Sequence, residues 1–243
     1  MPDPTRFVLV EPSHGGNVGS TARAMKVMGY TDLVLVRPRW SDVLEREDTL
    51  ALASGATDVL AQARVVNTLS EALQGVHHAC ATAMTPRDFG PPTHAPREFF
   101  PTLAGQPLRV AFVFGPERTG LANEDVYRCH SCLSIPTHPD YGSLNLAQAV
   151  QLIAYDWRMA CGGFEVAPRT VDAALADAAE LQGLLEHWQQ TLVAIGYLDP
   201  AAPKKLMPRL NQLLNRAGLT REELHILRGI ARAAAARAGR ADS

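Results

Sequence analysis

With 243 residues, 47% of them hydrophobic and 20% charged, the chain can bury one large core, or a core domain plus a small appendage, and has the composition of a soluble globular protein. A formal net charge of -2 excludes a generic polycation, so any affinity for nucleic acid has to come from local patches. No apolar run approaches the roughly eighteen residues of a membrane span, and the opening MPDPTRFVLV lacks the basic segment and apolar length of a signal peptide. The expectation is a cytoplasmic protein, with no membrane partner, whose cysteines stay reduced.

The first strand candidate, Arg6–Glu11, runs into EPSHGGNVGSTARAMKVMG, where Gly15, Gly16 and Gly19 precede a helical pattern. A glycine-rich strand-to-helix turn often receives phosphate, because free N–H groups and the positive end of the helix dipole face the ligand. The spacing matches neither G-x-G-x-x-G nor a Gly-Lys-Ser/Thr loop, which removes the best support for dinucleotide binding or nucleotide hydrolysis. In the helix, Val18, Ala22 and Met25 share one stripe, Arg23 falls opposite it, and Gly29 stands at the C-terminal cap. The helix can bury its apolar side and still present Arg23 outward.

Further strand candidates follow at Asp32–Arg37, Ala63–Asn67, His77–Ala83, Leu108–Phe114 and Cys132–Pro136. Several are near-continuously apolar, as strands buried on both faces of a parallel sheet should be, and helical patterns lie between them. An α/β layered domain is the fold class they predict. The Pro-rich stretch Met84–Pro101 reads as one long loop, either flanking RNA through Arg87 and Arg97 or serving as a plain surface connection. The C-x-x-C of Cys129–Cys132 has no second pair at zinc-ribbon spacing, and the eight histidines show no metal-ligand spacing, so no metal is assigned.

A long helix is predicted from about Leu144 to Cys161, with Leu146, Ala149, Val150, Ile153, Ala154 and Trp157 on one face and Gly162–Gly163 as its stop. Residues 166–173 read as a linker between a domain of residues 1–165 and a helical extension of residues 174–243. From Pro200 onward nine Lys/Arg face three acids, a local charge of +6. Lys204 and Lys205 open that basic segment; Lys205, Arg209 and Arg216 share one helical face, and Arg221, Arg228 and Arg232 share another, behind a capping box of Thr220 and Glu223. One basic helix alone reads as a solvated surface; two such stripes in one small segment favour RNA or another polyanion.

Two more segments are unusual: FVFGPERTGLANED, where an apolar strand ends in Gly115-Pro116-Glu117, and SIPTHPDYGSLNLAQAVQ, which loops through two prolines into the long helix. In open α/β sheets, ligands settle outside the carboxyl ends of the strands, where these loops lie. Singly, an outward Arg is only solvated, Asn145 at a helix start is a cap, and Gly115-Pro116 is a turn. Their joint occurrence with NVGSTARAMKVMG resembles the three signature motifs of the SPOUT superfamily of S-adenosylmethionine-dependent RNA methyltransferases. It is most similar to the TrmJ-type tRNA (cytidine/uridine-2'-O)-methyltransferases, over residues 7–162.

The resemblance implies a layered parallel sheet with a C-terminal trefoil knot, a homodimer with the active site at its interface, and S-adenosyl-L-methionine as cofactor. It assigns Thr82, Ala83, Met84, Gly115, Ile135, Gly142, Ser143, Leu144 and Asn145 to the cofactor. Asn17, Arg23, Glu117, Ser143 and Asn145 go to catalysis, and Arg23 reaches the partner's site. Gly16 replaces a common proline and Gly142 a common serine. The implied substrate is tRNA, at anticodon-loop nucleotide 32, gripped by the basic tail. The rivals are methylation of another RNA such as rRNA, and an RNA-binding module without catalysis.

Overall fold

The computed structural model describes residues 3–85, 87–167 and 174–241, and these divide into two compact units between Glu165 and Val166. The expected linker falls mainly on residues 168–173, outside the described residues.

In the first unit seven strands form one parallel sheet: β1 (Arg6–Val10), β2 (Asp32–Val36), β3 (Arg64–Val66), β4 (His78–Thr82), β5 (Thr93–His94), β6 (Val110–Phe114) and β7 (Ser131–Leu133), in the order β3-β2-β1-β6-β4-β7-β5. The central strands RFVLV and VAFVF are buried along their whole length, which explains their unbroken apolarity. Successive side chains leave opposite faces: Phe7 and Leu9 join one core with Phe112, Phe114 and Trp157, and Val8 and Val10 join a second with Val34 and Val113.

The first core is closed by α1 (Gly15–Val27), α2 (Glu47–Ala53), α3 (Thr57–Gln62), α5 (Pro96–Leu103) and α7 (Leu146–Ala160), and the second by α4 (Leu69–Ala72) and α6 (Asn123–Tyr127). Helix α7 buries the predicted stripe of Leu146, Val150, Ile153, Ala154 and Trp157, and Trp157 Nε1 donates to Thr5 Oγ1 at 2.9 Å. It starts two residues later than expected, leaving Leu144 in the preceding loop and Asn145 as its N-terminal cap.

Two expectations are corrected. The Pro-rich stretch is not one long loop: Thr93–His94 adds a strand beside β7, and Pro96, whose fixed φ suits a first helical turn, opens α5. Arg97 in it pairs with Asp156 at 3.0 Å. Nor do the glycines of α1 form an open turn. They lie within the helix and face α2: a Cβ on Gly19 would strike the Thr49 carbonyl oxygen, one on Gly15 would sit 2.5 Å from Thr49 Oγ1, and one on Gly16 would sit 2.7 Å from Leu52 Cδ1. Close packing of two helices is what they permit.

At the opposite end of the sheet, Asp32 accepts from Arg6 Nε at 2.8 Å and Arg109 at 2.9 Å, with Arg64 at 3.4 Å. Burial raises the pKa of Asp32, but the hydrogen bond and charge of Arg6, with Arg109 and Arg64, outweigh it and leave the carboxyl below its usual range. A depressed carboxyl contributes stability above its unfolded pKa, near 3.9, that is lost as pH falls through the folded value. Because Arg6 is almost fully buried, Asp32→Asn is expected to cost about 2–4 kcal/mol in urea unfolding at pH 7, a difference that shrinks below about pH 4.

The second unit comprises α8 (Ala178–Ala194), α9 (Leu206–Ala217) and α10 (Arg221–Ala241). Leu184, Leu185, Thr191 and Leu192 of α8, Leu198 after it, and Leu224 and Ala231 of α10 are buried. The Thr220–Glu223 capping box forms as predicted, and a second one, Asp177–Glu180, opens α8. No helix among the described residues is long and apolar enough to cross a membrane.

Candidate active site

The loops after β1, β4, β6 and β7 meet at the carboxyl ends of the strands, where parallel sheets present their ligand sites. The loops after β4, β6 and β7 enclose a cavity of about 400 Å³, within the range of small-molecule sites. Eight of the nine expected cofactor residues line it: Thr82, Ala83 and Met84 after β4, Gly115 after β6, Ile135 after β7, and Gly142, Ser143 and Leu144 in the loop before α7. Asn145 lies beside the cavity.

Gly115 is forced. A Cβ there would overlap Leu121 N and Gly120 C, because residues 115–121 fold back on themselves, with Gly120 N–H donating to the Pro116 carbonyl at 2.9 Å. A Cβ on Gly142 would lie 2.9 Å from Thr137 Oγ1 and 3.0 Å from Met84 Sδ, side-chain contacts that a small shift of exposed Met84 and of Thr137 relieves. Thr82 Oγ1 donates to the Val113 carbonyl and Ala83 N–H to the Leu133 carbonyl, so neither donor is free for a ligand. Arg87 and Arg118 also line the cavity, and Arg87 Nε is buried with no hydrogen-bond partner among the described residues. An acceptor-bearing ligand such as S-adenosylmethionine, with its carboxylate and ribose oxygens, fits a cavity with such a donor.

Beside the cavity, Asn17, Glu117 and Asn145 form one network. Asn17 Nδ2 donates to Glu117 Oε1 at 2.8 Å, and Asn145 Nδ2 donates to Asn17 Oδ1 at 2.9 Å. The other end of Asn145 caps α7: its Oδ1 accepts from Ala147 N–H at 2.9 Å and Gln148 N–H at 3.4 Å. The cap and the site residue are thus one side chain, held in one rotamer by the helix it opens.

Ser13 completes the network, donating to Glu117 Oε2 through its N–H at 3.0 Å and its hydroxyl at 2.7 Å. Burial raises the Glu117 pKa, but the hydrogen bonds from Asn17 and Ser13 prevail and draw it down to about 2. Glu117 is therefore a fixed carboxylate at neutral pH, a poor proton acceptor and a strong positioner.

Sequence reasoning missed Ser13 and Arg118. Their only signals were adjacency, Ser13 within the turn that delivers Asn17 and Arg118 following Glu117. Arg23 is exposed on α1 and makes no ion pair with another described residue, while Val18, Ala22 and Met25 are buried as expected. The thiols of Cys80 and Cys129 are pushed by burial to about 12, which leaves them protonated and inert.

In the second unit the basic residues divide. Arg221 pairs with Glu180 at 3.1 Å and Arg228 donates to the Glu180 carbonyl at 3.3 Å, so both tie α10 to α8. Lys204, Lys205, Arg209, Arg216 and Arg232 are exposed and make no ion pair with another described residue.

The parallel sheet and the cavity walled by its β4, β6 and β7 loops define a methyltransferase of the SpoU class: the SpoU rRNA Methylase family matches residues 4–155, and the tRNA methyltransferase TrmJ C-terminal domain matches residues 179–243. The chain is 43% identical over 242 residues to the tRNA (cytidine/uridine/adenosine-2'-O-)-methyltransferase TrmJ of Pseudomonas aeruginosa, covering 95% of this chain and 93% of the relative. It is also 43% identical to the tRNA (cytidine/uridine-2'-O-)-methyltransferase TrmJ of Escherichia coli K12, covering 93% of this chain and 92% of that one. The crystal structure of TrmJ from Z. mobilis superposes with a TM-score of 0.79 at 34% identity, covering 93% of this chain and 96% of that chain. The chain belongs to the TrmJ family.

Proposed function

We propose that this chain transfers the methyl group of S-adenosyl-L-methionine to a ribose 2'-hydroxyl of tRNA, at anticodon-loop nucleotide 32, in the cytoplasm. The observation that carries the reading is the Asn145–Asn17–Glu117–Ser13 network at the edge of a cofactor-sized cavity. Bound cofactor supplies an electrophilic methyl on a sulfonium; the protein has to align the 2'-hydroxyl with it and exclude water. Glu117 and Asn145 fix Asn17, which with Ser143 orients the ribose. A homodimer whose knotted cofactor loops lie at the interface would bring Arg23 of one copy to the site of the other.

A guanidinium holds its proton too tightly to act as a base without strong perturbation. The role assigned to Arg23 is to steer the adjacent phosphate and stabilise the developing alkoxide, the proton leaving through that phosphate or a water. Methyl incorporation from labelled cofactor into a tRNA transcript tests the whole reading. In that assay Arg23→Ala is expected to lower the rate at least about 100-fold and Arg23→Lys to restore part of it. Equal loss in both would reject a simple charge role.

The second unit is assigned to gripping the tRNA body through Lys204, Lys205, Arg209 and Arg232, with Arg221 and Arg228 holding the helices that present them. Arg232→Ala should weaken tRNA binding with no change in melting temperature, whereas Arg228→Ala should lower the melting temperature. The reverse pattern in thermal unfolding and filter binding would exchange their roles.

A further inference from the structure

The turn Arg87–Gly90, at the rim of the cofactor cavity, has a feature that the reaction as described does not use. Gly90 N–H donates to the Arg87 carbonyl at 3.0 Å, which makes Asp88 and Phe89 the central pair of a β-turn, and Phe89 has φ of 61°. A positive φ at the third position is the type II geometry that glycine or asparagine fills without strain. Phe89 is also 101% exposed, so its ring gains nothing from the fold. A residue wrong for its backbone and wrong for its solvent is held there at a cost to the free protein.

The turn is fixed rather than trailing. Tyr127 Oη donates to the Asp88 carbonyl at 2.8 Å, and Cys132 N–H donates to the Pro92 carbonyl at 2.9 Å just beyond it. Two guanidinium groups, Arg87 of the turn and Arg118 of the facing loop, line the adjoining cavity.

We propose that Phe89 is a stacking platform for one unpaired base of the substrate RNA, next to the nucleotide whose ribose enters the site. This rests on the RNA methyltransferase reading above. A solvent-exposed ring on the turn that carries Arg87, with Arg118 lining the same cavity as Arg87, matches a base flanked by phosphates: the ring takes the π-face and the guanidinium groups take the charge. Exposed Tyr127, tied to the Asp88 carbonyl, places a second aromatic ring beside the turn. Stacking is tolerant of base identity, so Phe89 sets the position of the loop and not its sequence.

The full chain carrying Phe89→Asn, and separately Phe89→Trp, tests this. Asn fits the positive φ, so the Asn variant should melt higher than the wild type while its KM for tRNA rises about tenfold and its cofactor Kd stays constant. The Trp variant should keep a wild-type KM or lower it. A Phe89→Asn chain that melts higher but retains KM for tRNA within twofold would overturn the proposal. So would a lowered dimer fraction in sedimentation, which would place a second copy on the ring. A wild-type chain that neither methylates nor binds tRNA would instead fail the reaction reading itself.

Discussion

Glu117→Ala is expected to lower methyl transfer to tRNA about 100-fold or more while changing cofactor affinity far less. The carboxylate joins two loops that the sequence leaves about a hundred residues apart: Asn17 donates to one of its oxygens, and the Ser13 N–H and hydroxyl donate to the other. Without it three donors lose their acceptor, and Asn17 is held only by Asn145. Misplacing a positioning group by about 1 Å is enough to cost about 100-fold. Glu117→Gln should fall between, since an amide oxygen can accept from Asn17 but its NH2 faces the Ser13 donors. Single-turnover rates with cofactor Kd in parallel check this, and a Glu117→Ala rate within threefold of wild type would remove the network from the mechanism. Because Glu117 titrates near 2, the rate between pH 5 and 9 should carry no limb from it, and its stabilising contribution should disappear only as pH falls from about 4.5 toward 2.

Gly19→Ala is expected to destabilise the first unit by about 3 kcal/mol, lowering its melting temperature by roughly 6–12 °C. The added methyl would meet the Thr49 carbonyl and the Ala53 nitrogen, backbone atoms of α2 that cannot rotate away. Helix α1 must then separate from α2, and α1 carries Asn17 and Arg23. Gly55→Ala is the control, with nothing within 4 Å of its Cβ. Equal melting temperatures for the two variants would show that α1 and α2 tolerate separation.

The sheet was legible because parallel strands buried on both faces write themselves as apolar runs: RFVLV, DLVLV and VAFVF are strands within two residues of the expected bounds. The cavity was legible because short motifs with fixed spacing carry it. What failed was whatever depends on a neighbour distant in sequence. Nothing near Gly19 names Thr49, so glycines that serve helix packing read as an open ligand turn. Thr93–His94 is a strand only because β7 offers an edge. Arg221 and Arg228 share a basic stripe in sequence, yet one residue of α8, Glu180, takes both, Arg221 on its carboxylate and Arg228 on its backbone carbonyl. Ser13 belongs to the site only through Glu117, and adjacency alone cannot distinguish it from a turn residue.

The most direct measurement is methyl incorporation from labelled S-adenosylmethionine into a full-length tRNA transcript, beside the same transcript with a 2'-deoxy residue at nucleotide 32. The account predicts label in the first and none in the second. Equal label in both would keep the methyltransferase and reject the target nucleotide; no label in either, with cofactor bound, would contradict tRNA as the substrate.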